Sequence, residues 1–148
     1  APEIILGRGY DQTIDWWALG ILIYECISGT TPFEAVNQEE ICRKIIQGQI
    51  NFPKSAPFDD HSKNLISRLL NKKPQDRLTN GPSRGTAVKN HDWYHSVDWN
   101  STLSKTVKPP WVPKCKNALD TKHFSAVDEA ETGKKKWRDP APGWDLDF

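Results

Sequence analysis

The sequence predicts a mainly α chain, with a compact helical part over residues 1–99 and an extended tail over residues 100–148. Three observations carry this. The stretch Asp15–Ser28, DWWALGILIYECIS, is apolar on every side and bracketed by helix-ending residues. No run alternates apolar and polar residues for long enough to suggest a strand. After Asn100 the periodicity vanishes and prolines accumulate.

The elements follow in order. Ala1–Ile14 reads as a lead-in loop. Its Gly7-Arg8-Gly9 is not a phosphate loop, because Gln12 stands where the third glycine of G-x-G-x-x-G belongs. Asp15 reads as the N-cap of the central helix, its carboxylate accepting from the free N–H groups of the first turn. Gly29 closes that helix in a left-handed conformation, and Pro32 prevents continuation. A helix apolar all round is expected to be buried all round. Its 14 residues fall short of the ~20 needed to cross a bilayer. Glu25 breaks the pattern in the last turn, where a carboxylate is expensive unless it is paired or reaches a wet cleft.

Asn37-Gln38-Glu39-Glu40 has the form of a capping box. Ile41, Cys42, Ile45 and Ile46 then share one helix face, and Gly48 closes it. Gln49–Pro57 is a proline-punctuated loop. Asp59 or Asp60 caps a further helix carrying Leu65, Ile66, Leu69 and Leu70, which ends at Lys72-Lys73-Pro74. A loop at Asn80–Arg84 and a short helix at Thr86–Asn90 follow. His91 reads as a structural histidine rather than a base or ligand, since no partner motif accompanies it. In the tail, Pro109, Pro110 and Pro113 make an extended stretch. Trp111, Phe124, Trp137, Trp144 and Phe148 are spaced as docking anchors, and Lys134–Lys136 with Arg138 form a short basic run.

Composition bounds the function. With 36% apolar and 26% charged residues the chain is ordinary for a globular domain. A net charge of +1 gives no reason to invoke nucleic acid or an anionic membrane. The three cysteines have no metal-ligand spacing, and Cys26 and Cys42 sit in apolar helix patterns, so buried reduced thiols are expected. Neither a signal peptide nor a membrane span is recognisable, and the expected setting is intracellular: the cytoplasm, and possible entry into the nucleus. The chain opens inside a motif and contains no Met, which points to the C-terminal part of something longer.

That motif carries a resemblance. APEIIL at Ala1–Leu6 is followed, eleven residues after APE, by DWWALGILIYE at Asp15–Glu25. TPF at Thr31–Phe33, the RL of QDRL at Arg77–Leu78 and HDW at His91–Trp93 come later in register. A-P-E is one of the protein-kinase signatures, and the set resembles the AGC group of serine/threonine kinases, the cAMP- and cGMP-dependent members above all. The resemblance covers nearly the whole chain and fades after about Asp128. It implies the large, C-terminal lobe of a kinase-like fold over residues 1–99 and an AGC-type tail over 100–148. PPWVPKCK (Pro109–Lys116) corresponds to the lobe-hugging part of that tail, DTKHF (Asp120–Phe124) to the part passing the ATP cleft. GWDLDF (Gly143–Phe148) is similar to the end of cGMP-dependent kinases.

The resemblance also assigns roles. Glu3 is expected to pair with Arg77, tying the end of the activation segment to the lobe. Asp15 would also hold the backbone of the catalytic loop. Glu25 matches the carboxylate that reads an arginine two residues before the phosphorylated Ser or Thr, which a guanidinium–carboxylate contact explains. Phe124 aligns with the tail aromatic near the adenine. Where cAMP-dependent kinases continue with an acidic pair and Tyr, this chain has Ser125, Ala126 and Val127, so that tyrosine contact is lost. WDLDF has one residue more between its aromatics than F-x-x-F, and Thr132 is a weak candidate for tail phosphorylation.

Phosphoryl transfer needs a glycine-rich cover, a phosphate-binding lysine, a catalytic aspartate and a metal-binding aspartate. No G-x-G-x-x-G, V-A-I-K, H-R-D or D-F-G string is present. No catalytic or metal-ligating residue is therefore assigned in this stretch, and Mg2+ and ATP would be bound mainly upstream. The expected partners are basic peptide substrates and a cyclic-nucleotide-binding regulatory subunit or domain. Two rival readings remain: a pseudokinase, and a helical interaction module with an aromatic docking tail.

Overall fold

The computed structural model describes residues 1–78 and 84–125. Among them lie six α-helices: α1 (Pro2–Ile5), α2 (Thr13–Ser28), α3 (Gln38–Gln47), α4 (Asp60–Leu69), α5 (Arg84–Lys89) and α6 (Trp99–Leu103). Single 3-10 turns occupy Pro74–Asp76 and Asp92–Tyr94, and no strand occurs among the described residues. The mainly α fold is therefore the observed one.

Helix α2 crosses α4, and this contact holds the core. Leu65, Ile66, Leu69 and Leu70 of α4 and its C-terminus are buried against Trp17, Ile23 and Tyr24 of α2, with Phe33 and Val88 completing the cluster. Gly20 sits at the crossing. A Cβ there would lie 2.8 Å from Leu70 Cδ2 and 3.0 Å from Leu69 Cβ, so only glycine lets the two backbones come this close. Tyr24 donates its hydroxyl to Asn51 O at 2.7 Å and packs against Phe58 and Phe52, which fixes the loop between α3 and α4. Trp17 stacks on Phe33 with ring centroids 5.8 Å apart.

Helix ends follow capping chemistry. Asn37 Oδ1 accepts from Glu40 N at 2.8 Å and Asp59 Oδ1 accepts from Ser62 N at 2.7 Å. Glu40 itself turns to Arg43 at 3.2 Å instead of completing the reciprocal half of the capping box. Gly29 and Gly48 close α2 and α3 with φ of 76° and 67°, the left-handed conformation expected of both.

Several expectations are corrected. α2 begins at Thr13, two residues before the expected cap, and Asp15 lies inside its first turn. The carboxylate that takes the first free N–H belongs to Asp11, whose Oδ1 accepts from Thr13 N at 2.9 Å and from Thr13 Oγ1 at 2.6 Å. Nor is α2 buried all round: Ala18, Leu22, Glu25 and Cys26 are exposed, Leu22 by 55%. The cysteines are not buried either. All three are free thiols, Cys26 and Cys115 exposed and Cys42 half-buried. Helix α5 runs over Arg84–Lys89, two residues earlier at its start than expected. α6 was unforeseen, and its cap Asp98, accepting from Asn100 N at 3.0 Å and Ser101 N at 3.1 Å, was the available signal.

The chain divides into two units, Ala1–Thr106 and Val107–Phe148. The first contains all six helices, so it includes α6 beyond residue 99. Within the second, the described residues Val107–Ser125 form extended and turn segments. Asp120 organises them, accepting from Lys116 N at 2.8 Å and from Lys122 N at 3.1 Å. Lys122 Nζ donates to Lys114 O, and Trp111 meets His123 edge-on at 5.6 Å. The expectations for Trp137, Trp144, Phe148, Thr132 and the basic run fall outside the described residues.

Candidate functional site

Two faces of α2 carry the chemistry. Thr13, Trp17, Gly20 and Tyr24 recur at spacings of four, three and four residues and form its buried stripe. Asp15, Ala18, Leu22 and Glu25 repeat at three, four and three on the outer side, all exposed.

The inner stripe holds an anchor around Arg77, which is only 2% exposed. Its NH1 and NH2 donate to Glu3 Oε1 and Oε2 at 2.7 and 2.8 Å, a bidentate ion pair. NH1 also donates to Thr13 O at 3.1 Å, and Nε donates to Asn71 O at 2.9 Å. The guanidinium carbon lies 5.1 Å from the Trp17 ring centroid. Four of the five guanidinium N–H groups are thus matched among the described residues and one face is covered by an aromatic ring, the kind of compensation under which a buried charge is tolerated. Burial pushes the Glu3 carboxyl up, but the Arg77 hydrogen bonds, a backbone hydrogen bond and the Arg77 charge outweigh it, so its pKa lies below the usual carboxylate value. Thr13, Trp17 and Asn71 are the partners that sequence reasoning missed. The recoverable signal was the four-residue spacing of Thr13 and Trp17 on the face that Gly20 also occupies.

The outer stripe carries two carboxylates. Asp15 and Glu25 are ten residues apart, which is about 15 Å along a helix axis. Among the described residues neither side chain makes a hydrogen bond or ion pair, and both face solvent. Gln12, Asp15, Trp16 and Leu19 line a shallow depression of about 460 Å3 beside the start of α2. The structure therefore joins Glu3 to Arg77 through the inner face, and keeps Asp15 and Glu25 apart from that anchor. Phe124 belongs to the second unit and is 76% exposed.

His91 is a cap. Its Nδ1 accepts from Trp93 N at 3.2 Å and its Nε2 lies 2.9 Å from Asn64 Oδ1. Since an amide oxygen only accepts, Nε2 carries the proton and the ring is neutral. Burial lowers its pKa below the usual histidine value, as does the Arg68 charge; Asp92 pulls upward and His61 downward.

No group of three or more His, Cys, Asp or Glu residues is placed to hold a metal among the described residues, and no glycine-rich turn forms a phosphate cradle there. The described residues do not fit Mg2+ and ATP as a binding site, and no chemical step is assigned to them. No helix among the described residues is long and apolar enough to cross a membrane.

Comparison with known proteins follows this geometry. The protein kinase domain family model matches residues 1–94. The chain is 41% identical over 142 residues to the human cAMP-dependent protein kinase catalytic subunit PRKX, an alignment covering 96% of this chain and 38% of that one. It is 40% identical over 131 residues to the serine/threonine-protein kinase gad8 of Schizosaccharomyces pombe, covering 88% and 22%. To the serine/threonine protein kinase ypkA of Aspergillus fumigatus it is 35% identical over 139 residues, covering 94% and 22%. The chain thus spans 22% to 38% of the length of these relatives. With its helical fold, the chain belongs to the protein kinase family, as a large-lobe portion of an AGC-group serine/threonine kinase.

Proposed function

We propose that the full-length protein transfers the γ-phosphate of Mg-ATP to Ser or Thr in basic peptides, and that this portion supplies substrate reading and support rather than the reacting groups. The observation that carries the reading is the open carboxylate of Glu25. A solvent-facing carboxylate without a partner among the described residues, on the last turn of a helix anchored by its other face, is free to take a guanidinium in two charge-assisted hydrogen bonds. Arg is selected over Lys because its planar fork matches both oxygens.

The supporting roles follow from the two faces of α2. The Glu3–Arg77 pair fixes the end of the activation segment to the lobe. Asp15, exposed in the first turn, holds the catalytic-loop backbone from behind. The exposed Leu22, with the half-buried Trp16 and Leu19 beside it, is the seat of the preceding part of the kinase domain. Residues 100–148 act as the tail, with Phe124 near the adenine. Mg2+ and ATP are held by groups outside the described residues. A cyclic-nucleotide-binding regulatory subunit or domain controls the enzyme, in the cytoplasm and also in the nucleus.

The test is Glu25→Gln in the full-length kinase, assayed on a peptide with Arg two residues before the acceptor and on its Ala counterpart. Loss of a charge-assisted pair of about 1.5–3 kcal/mol predicts a fall of roughly 10- to 150-fold in kcat/KM on the Arg peptide. The Ala peptide is expected to be little affected. Equal loss on both peptides overturns the assignment.

A further inference from the structure

Glu25 lies in the last turn of α2, where the final carbonyls lack intrahelical partners and the backbone frays most easily. Two hydroxyls hold that turn. The first belongs to Ser28. Gly29 N donates to Glu25 O at 2.8 Å, the single bond of a left-handed closure. In a Schellman closure the following N–H, here that of Thr30, would also return to Glu25 O. It donates instead to Ser28 Oγ at 3.3 Å. Ser28 Oγ shares its one proton between Tyr24 O at 3.0 Å and Thr30 O at 2.8 Å. Tyr24 O belongs to the peptide that joins Tyr24 to Glu25, so this hydroxyl ties the outgoing connector to the backbone beside the carboxylate.

The second hydroxyl is that of Tyr24 itself. The residue is buried, its ring packed on Phe58 and Phe52 at 4.9 and 5.9 Å, and its hydroxyl donates to Asn51 O at 2.7 Å. Neighbouring residues on an α-helix are turned about 100° apart around the axis. A last turn whose roll is fixed at Tyr24 therefore has the direction of Glu25 fixed as well.

We propose that Tyr24 and Ser28 are positioning residues for Glu25, and that their hydroxyls set its preference for arginine over lysine. The proposal rests on the substrate reading given above and deepens it. A bidentate contact with a guanidinium requires the carboxylate to be held within about 0.5 Å and 10–20° of its productive place. No partner among the described residues orients the Glu25 carboxylate, so the backbone of the last turn sets where it stands. A frayed turn would spread the carboxylate over many positions, few of which match both oxygens to the fork. Such a carboxylate still attracts a cation, but it no longer separates the planar fork of arginine from the point charge of lysine.

The experiment measures kcat and KM of the full-length kinase on three peptides that differ only in Arg, Lys or Ala two residues before the acceptor. Wild type is compared with Glu25→Gln and with the double variant Tyr24→Phe/Ser28→Ala, which keeps the buried ring and the helix but removes both hydroxyls. The double variant is expected to lower the Arg-over-Lys ratio of kcat/KM by about threefold or more, through KM on the Arg peptide with kcat unchanged. The Ala peptide should stay within about twofold of wild type. Added to Glu25→Gln, the same two changes should leave the ratio where Glu25→Gln puts it, because the group they position is gone. An equal fall on all three peptides marks a merely structural role and overturns the proposal, as does an unchanged Arg-over-Lys ratio. If Glu25→Gln does not lower the Arg peptide relative to the Ala peptide, the substrate reading falls and this proposal with it. If Glu25→Gln does so and the double variant leaves the Arg-over-Lys ratio intact, the positioning role alone is overturned.

Discussion

Arg77 concentrates more interactions than any other described side chain: both oxygens of Glu3, two carbonyls and the Trp17 ring. Removing one partner leaves a buried charge without compensation, which costs about 3–5 kcal/mol. Glu3→Gln and Arg77→Met are therefore each expected to destabilise by that amount in urea unfolding, and the double variant by less than the sum. Because the folded-state pKa of Glu3 is lowered, its contribution is complete above the unfolded value of about 4.3 and disappears as pH falls through the folded one. His91 sets a second dependence at higher pH. Its folded-state pKa lies below about 6.5, so below that pH the unfolded chain takes up a proton that the folded ring resists. Stability should fall progressively as pH drops from 7.5 to 5. His91→Asn keeps an N-cap acceptor for Trp93 N but cannot titrate, and unfolding at pH 7.5 and 5.5 should show that step removed.

At the scale of the helix, α2 shows what a sequence reveals and what it hides. Gly29, Gly48 and Asn37 were legible, and the cap at Asp59 to within one residue, because a left-handed φ and an N-cap hydrogen bond are demands of single residues on their own backbone. The start of α2 was not, since Asp11 and Asp15 are both plausible caps and only the backbone course decides between them. Its exposed stripe was hidden for a different reason. Apolar residues on all sides mark no single face, and exposure depends on which neighbours are present. Gly20 had no local signal either, its need for a missing Cβ arising entirely from α4. Gly20→Ala gains about 1 kcal/mol of helix propensity, but its methyl would meet Leu70 and Leu69 at 2.8–3.0 Å. Overpacking of about 1–3 kcal/mol opposes this gain, with net destabilisation of up to about 2 kcal/mol visible as a lower Tm.

At the scale of the molecule, the candidate site was legible in kind and hidden in geometry. Family strings pointed to Glu3, Arg77, Asp15 and Glu25, yet only the fold showed that α2 separates the anchor from the open carboxylates. The open face makes its own prediction. Leu22→Ala in the 148-residue chain should change stability by no more than about 0.5 kcal/mol, as at any exposed position. In the full-length kinase, where the proposed function seats other parts of the domain on this face, the same change should cost about 2–5 kcal/mol. Thermal melts of the two proteins compare them directly.

The bond between Glu3 and Arg77 spans 74 positions in sequence, and it encloses α2, α3, α4 and their connectors in one ring of chain. It behaves as a noncovalent crosslink. The entropy of closing such a ring grows only with the logarithm of its length, by about 0.6 kcal/mol for each doubling. Extra residues in the connectors at 29–37 or 48–59 would lengthen the ring by a small fraction and loosen its clasp by much less than the thermal energy. The outer surface of this lobe is therefore free to vary in loop length while its start stays fastened.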